Sequence, residues 1–162
     1  MDEVGLRLRV EQFLAAYTAC LDEDRLEEWP GLFTEHCVYK IIPYENVAQN
    51  LPVALMFGDS QAMLRDRVTA HRRANLYAPH RYRHLLGPLR VRAAPGEQTI
   101  EVRANFAVYR TMLDPADYGR SELFAVGEYQ DRLVWEQEQL RVLEMIVVVD
   151  TAKIPTLLVT PL

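Results

Sequence analysis

Four histidines, His36, His71, His80 and His84, are the side chains of this chain best suited to proton transfer or metal ligation near neutral pH. On a helix, His80 and His84 would converge on one ion. Pro79 precedes them, however, and the segment from His80 onward reads as a strand, where residues four apart are separated by roughly 13 Å. They therefore do not share a metal. Cys20 and Cys37 are isolated, and no Cys-His pair has the spacing of a zinc or iron–sulfur site, so no metal centre is expected in this chain. General acid–base chemistry is another possibility, because Tyr17, Tyr39, Asp24, His80 or His84 would supply a His–carboxylate pair if the fold encloses a pocket. Sequence gives no geometry for it. The favoured reading is a hydrogen-bonded histidine beside an arginine-rich interface. The alternative is a free-standing isomerase or dehydratase with His84 or Asp24 as its base, and a third is a ligand-binding module. Nucleophilic hydrolase signatures, glycine-rich phosphate loops and dinucleotide fingerprints are absent.

The arginines are unevenly distributed. Between Arg65 and Arg92 there are eight arginines (65, 67, 72, 73, 81, 83, 90 and 92) against one acid, Asp66. This window carries +7 in a chain whose formal net charge is −5. Arginine makes planar, bidentate contacts with carboxylates and carbonyls, so such a concentration points to fixed partners and to a subunit interface. Nucleic-acid binding is not expected, since the chain is acidic overall and has only Lys40 and Lys153.

Several elements must position these residues. Val10, Phe13, Leu14, Tyr17 and Leu21 recur at helical spacing and predict an amphipathic helix from about Val4 to Leu21. Asp22, Glu23 and Asp24 suit a turn and the start of a second helix, Arg25 to about Phe33, in which Pro30-Gly31 predicts a break or restart. Trp29 and Phe33 read as core. Cys37–Ile42 is a short strand stopped by Pro43, and Tyr44–Pro52 reads as a loop. Leu51–Phe57 is either a strand or a buried loop. Asp59 or Ser60 caps a third helix with Leu64, Val68, His71 and Asn75 on one face and Arg65, Arg72 and Arg73 away from the core.

From Arg81 onward the period becomes two. Ile100, Val102, Ala104, Phe106 and Val108 alternate with polar neighbours, predicting a strand with one buried face. It pairs with Tyr82–Ala93 through a turn at Ala94-Pro95-Gly96-Glu97. A second long pair, Glu122–Glu136 and Gln139–Asp150, is joined near Glu136-Gln137-Glu138, and the loop Leu113–Gly119 is expected to be exposed. The tail, Thr151–Leu162, is apolar and broken by Pro155 and Pro161, and either docks on a neighbouring subunit or packs back on its own domain. Helices over about 4–75 with one short strand, then long antiparallel strands over about 80–150, make one α+β domain spanning residues 1–162. No signal-peptide pattern and no run near 18 apolar residues is present. The expected location is cytoplasmic, with both cysteines reduced and buried.

Taken together, these segments resemble the small (beta) subunit of aromatic-ring-hydroxylating dioxygenases, the Rieske non-haem iron oxygenases. The pieces are Tyr17 with Leu21-Asp22, Arg25 with Glu28-Trp29 and Leu32-Phe33, Tyr39 with Ile42-Pro43 and Glu45-Asn46, Asp59-Ser60 with Ala62-Met63-Leu64 and Asp66-Arg67-Val68, and Tyr77, Pro79, Arg81 and Arg83-His84-Leu85. The chain departs from the pattern at Gly58, Pro30-Gly31 and Leu86-Gly87-Pro88. The resemblance implies a cone-shaped fold like that of nuclear transport factor 2 (NTF2) and scytalone dehydratase, N-terminal helices lying on a curved, mostly antiparallel sheet. It also implies a subunit with no catalytic residue, cofactor or metal of its own. Its partners would be an alpha subunit carrying a Rieske 2Fe-2S cluster and a mononuclear iron, commonly as alpha3beta3, and other beta subunits. The complex would add dioxygen to an aromatic ring, with electrons from NAD(P)H through a reductase or ferredoxin. Asp66, Arg67, Arg81, Arg83 and His84 are the residues expected at subunit contacts.

Overall fold

The structure, a computed structural model, describes residues 2–93, 98–114, 116, 119–150 and 158–162. Helix α1 spans Glu3–Asp22 and starts at Asp2, whose carboxylate accepts the Gly5 amide and so satisfies one of the first-turn donors. Its buried face carries Val10, Leu14, Tyr17 and Leu21, with Phe13 half-buried at the edge.

The predicted second helix is not a continuous α-helix. Residues from Arg25 form turns that lead into a 3-10 turn at Trp29–Leu32, with Pro30 in its first positions. Proline lacks the N–H a longer helix would need, and at the start of a turn that loss costs nothing. Strand β1 follows (Phe33–Pro43), longer than the predicted Cys37–Ile42, and Pro43 ends it. The predicted loop after it contains a short helix, α2 (Tyr44–Ala48). Leu51, Val53 and Leu55 are exposed, so the buried-loop reading fails there, and only Met56–Gly58 forms a strand, β2. Helix α3 (Gln61–Arg73) is capped by the Ser60 hydroxyl, which accepts the Met63 amide, and buries Leu64, Val68 and His71. Asn75 lies past its end and is exposed.

Strands β3 (His80–Arg92), β4 (Thr99–Met112), β5 (Ser121–Glu136) and β6 (Gln139–Val149) complete a six-stranded sheet of order β2-β1-β6-β5-β4-β3. All pairs are antiparallel except β1 with β6, which runs parallel from Phe33↔Val142 to Pro43↔Val149. Ile100, Val102, Ala104, Phe106 and Val108 are all buried, as their alternation predicts. The β5–β6 turn is two residues, Gln137 and Glu138, both at positive φ (48° and 65°), the conformation that matches the twist of a tight hairpin. The predicted turn at 94–97 lies outside the described residues, as do parts of the 113–119 loop and of the tail, residues 151–157.

One hydrophobic cluster joins α1 and α3 to the covered face of the sheet. At its centre Tyr17, Trp29, Phe33 and Tyr39 meet edge to face, with Trp29 and Tyr39 centroids 5.0 Å apart. Such pairs add to the apolar burial of the rings themselves. Cys20 and Cys37 are free and buried, the Cys20 thiol donating to the Arg25 carbonyl at 3.0 Å. The described part of the tail packs back into this same domain, with Leu162 fully buried.

Candidate subunit interface and the cleft beside it

Strand alternation decides where the residues of β3 go. Arg81, Arg83 and Leu85 are exposed, whereas Tyr82 and His84 are buried on the opposite face. Across the sheet, Arg83 pairs with Tyr109 and Tyr109 with Leu123, while Leu85 pairs with Ala107 and Ala107 with Val126. Leu85, Tyr109, Leu123 and Val126 are 53, 40, 50 and 38% exposed. The outer face of β3–β5 therefore carries two adjacent apolar rows edged by Arg81 and Arg83. An apolar patch bordered by guanidinium groups has the composition of a protein-binding surface.

His84 is not part of that surface. Its ring Nδ1 lies 2.6 Å from Asp22 Oδ1, and its backbone N–H donates to the same carboxylate at 3.0 and 3.2 Å. Both side chains are almost wholly buried, at 0% and 7% exposure. The carboxylate accepts a hydrogen bond from Nδ1–H, and Nε2, the second ring nitrogen, is buried without a partner among the described residues. Arg83 reaches back to Asp22 at 4.0 Å from the solvent side. Asp22 thus joins the end of α1 to β3, a contact that the 62-residue separation hides in the sequence. The only sequence signal for it is that Asp22 and His84 both fall within the segments that carry the family resemblance.

Beside this pair opens a cleft of about 790 Å³, lined among others by Asp22, His71, Arg72, Tyr77, His80 and Thr160. His71 stacks on Tyr77 with centroids 4.6 Å apart, and its Nε2 is 2.9 Å from the Tyr77 hydroxyl. Burial lowers the pKa of both His71 and His80, favouring their neutral forms. His80 and His84 sit on one strand and make separate contacts, His80 Nδ1 with the Ala78 carbonyl at 2.8 Å. Asp24, the other candidate base, is engaged by Arg72, whose guanidinium donates to both Asp24 oxygens at 2.7 and 2.9 Å and to Glu27 at 2.8 and 3.0 Å. Asp66 is exposed on α3, and Arg67 donates to the Phe57 carbonyl at 3.0 Å, joining α3 to β2. Neither lines the cleft that includes Arg81 and Arg83. No three His, Cys, Asp or Glu side chains among the described residues converge as a metal-ligand set. Among the described residues, no helix is long and apolar enough to cross a membrane.

A helix-covered, curved six-stranded sheet defines the class as an NTF2-like α+β cone. A protein from Novosphingobium aromaticivorans assigned as a scytalone dehydratase shares that fold at TM-score 0.66 and 15% identity, over 91% of this chain and 85% of that one. The ring-hydroxylating beta subunit family matches residues 17–156, and the chain belongs to it. It is 40% identical to the small subunit of anthranilate 1,2-dioxygenase of Burkholderia cepacia, over 90% of this chain and 88% of that protein. It is 37% identical to beta subunit 1 of the terminal oxygenase component of terephthalate 1,2-dioxygenase of Comamonas sp, over 96% and 97%. The beta subunit assigned to an aromatic-ring-hydroxylating dioxygenase of N. aromaticivorans superposes with TM-score 0.85 at 38% identity, over 99% of this chain and 100% of that one. This chain is accordingly a beta-subunit component of an aromatic-ring-hydroxylating oxidoreductase.

Proposed function

We propose that this chain acts as a single structural domain in the cytoplasm, holding together a complex with a larger alpha subunit and other beta subunits in alpha3beta3 form. In this reading the Rieske 2Fe-2S cluster and the mononuclear iron belong to the alpha subunit, with electrons arriving from a reductase or ferredoxin. No step of ring hydroxylation is assigned to a residue of this chain. The anthranilate and terephthalate named for its relatives are both aromatic carboxylates, and we extend that substrate class to the complex.

The observation that carries the proposal is the outer face of β3–β5, where Arg81 and Arg83 border exposed Leu85, Tyr109 and Leu123. We assign this face to the alpha subunit, because the relatives are themselves named as small or beta subunits of oxygenase components. Asp66 and Arg67 on α3 are assigned to a second contact. His84 acts as a positioning residue that fixes Asp22 behind Arg83. The isomerase or dehydratase alternative is the weaker reading, because Asp24 is committed to Arg72 and the His84 ring is wholly buried and does not line the cleft.

The test is affinity capture of the tagged chain from its native host, followed by native mass spectrometry and iron analysis. A larger iron-bearing polypeptide eluting in equimolar amount is expected. Elution of the chain alone, or only with itself, would overturn the assignment.

A further inference from the structure

The cleft of about 790 Å³ has a size that suits a small molecule, and one wall of it is aromatic. His71, Tyr77, His80 and Tyr82 follow one another along that wall, with successive ring centroids 4.6, 5.6 and 4.8 Å apart. Tyr77 stacks on the buried His71 at an interplanar angle of 18° and is itself 40% exposed. Residues 75–79 lie in no helix or strand, yet the wall is held at both ends. The Asn75 amide donates to the Ala70 carbonyl at 3.0 Å, the Tyr77 hydroxyl meets His71 Nε2 at 2.9 Å, and the Leu113 amide donates to the Pro79 carbonyl at 2.9 Å. The aromatic surface is therefore in place before a ligand arrives.

Two polar groups on this wall are left over by the fold. A carbonyl oxygen only accepts, so His80 Nδ1, 2.8 Å from the Ala78 carbonyl, carries the ring proton. Burial keeps the ring neutral, and Nε2 is then an acceptor with no hydrogen bond among the described residues. The next ring, Tyr82, is only 4% exposed, and its hydroxyl likewise has no partner among the described residues. Burial pushes the Tyr82 pKa up, so the hydroxyl stays protonated and able to donate. Partnerless polar groups on largely buried rings favour a guest that supplies the partner. An acceptor and a donor on adjacent rings match a hydroxyl group, which donates its hydrogen and accepts through its lone pairs. An ether oxygen accepts only, and a carboxylate oxygen would face the Nε2 lone pair. Arg72, which also lines the cleft, is committed to Asp24 and Glu27, so a carboxylate gains no pairing from it.

We propose that this cleft binds monocyclic aromatic compounds bearing a free hydroxyl, the ring lying against Tyr77 and the hydroxyl donating to His80 Nε2 while accepting from Tyr82. Arg81 and Arg83 reach the rim from the assembly face and take no part in this recognition. The site therefore stands or falls apart from the assembly reading, and its test uses the isolated full-length chain.

Phenol is the probe, with anisole and benzoate as comparisons, titrated at neutral pH and followed by nitrogen NMR of the histidine rings. Phenol is expected to saturate and to move the His80 Nε2 resonance, assigned by its loss in His80→Phe, toward that of a hydrogen-bonded nitrogen. Anisole, which has no donor, should bind about tenfold more weakly, the weight of one hydrogen bond in a buried site. Benzoate should bind no better than anisole. His80→Phe, which keeps an aromatic ring in place, should bind phenol about tenfold more weakly and anisole as before. Tyr82→Phe should weaken both, since both oxygens accept from its hydroxyl. A His80 resonance unmoved at the highest phenol concentration, anisole or benzoate binding as tightly as phenol, or folded His80→Phe with unaltered affinity for phenol would each overturn the proposal. The comparison of phenol with anisole needs only the unaltered chain, so it decides even where a variant fails to fold.

Discussion

The carboxylate of Asp22 takes both the backbone and the ring N–H of His84, with Arg83 at its outer edge. Removing it strands two buried donors, so Asp22→Ala is expected to lower stability by about 3 kcal/mol. Urea unfolding followed by circular dichroism measures this. An unchanged midpoint would show that the pair contributes nothing to the fold. Asp131 has the opposite character. Burial holds its pKa well above the ordinary carboxylate value, so the folded state keeps the proton that the unfolded chain loses near pH 4. A raised folded-state pKa means that this stability is full below the unfolded pKa and is lost as pH rises toward the folded one. Asp131→Asn is therefore expected to be more stable than the unaltered chain at pH 7.5 and about equal to it at pH 4, as paired urea titrations would show.

At the scale of elements, the sheet depends on one close approach. Gly127 on β5 lies opposite Val149, and a Cβ there would collide with the Val148 carbonyl oxygen and press on the Phe106 ring. Neither neighbour can move without disturbing the ladder, so Gly127→Ala is expected to cost about 3 kcal/mol or to leave the chain insoluble. A soluble variant with unaltered thermal unfolding would refute the close approach. The long strands β3 to β6 and helices α1 and α3 were legible in the sequence because their side-chain periods of 2 and 3.6 are local properties. The segment around Pro30 was legible only as an interruption. Whether it becomes a 3-10 turn depends on Trp29 finding Phe33 and Tyr39, partners that its own spacing does not specify.

At the scale of the whole molecule, the arginine surplus divides by location. Arg72 closes onto Asp24 and Glu27 within the chain, and Arg90 pairs with Glu128. Arg81 and Arg83 remain on the outer face beside the apolar rows. Arg83→Glu is expected to weaken assembly by about 2–5 kcal/mol if the contact is desolvated, leaving the isolated chain folded. Native mass spectrometry of the captured complex measures the loss. A complex of unchanged stability would remove Arg83 from the interface.

By itself the sequence determined the types of α1, α3 and the long strands, the buried face of β4, the cap of α3 to within Asp59 or Ser60, and the family, since these follow from local periodicity and from residue order. Only the tertiary structure decided that β1 runs parallel to β6, that Asp22 rather than Asp24 meets His84, and that the end of the tail enters the cone to meet Tyr17 and Tyr39. The physical reason is the same in each case. These contacts join residues separated by 62 to 145 positions or strands at opposite ends of the chain. Their energy comes from satisfying buried polar groups in three dimensions, and no local pattern encodes that requirement.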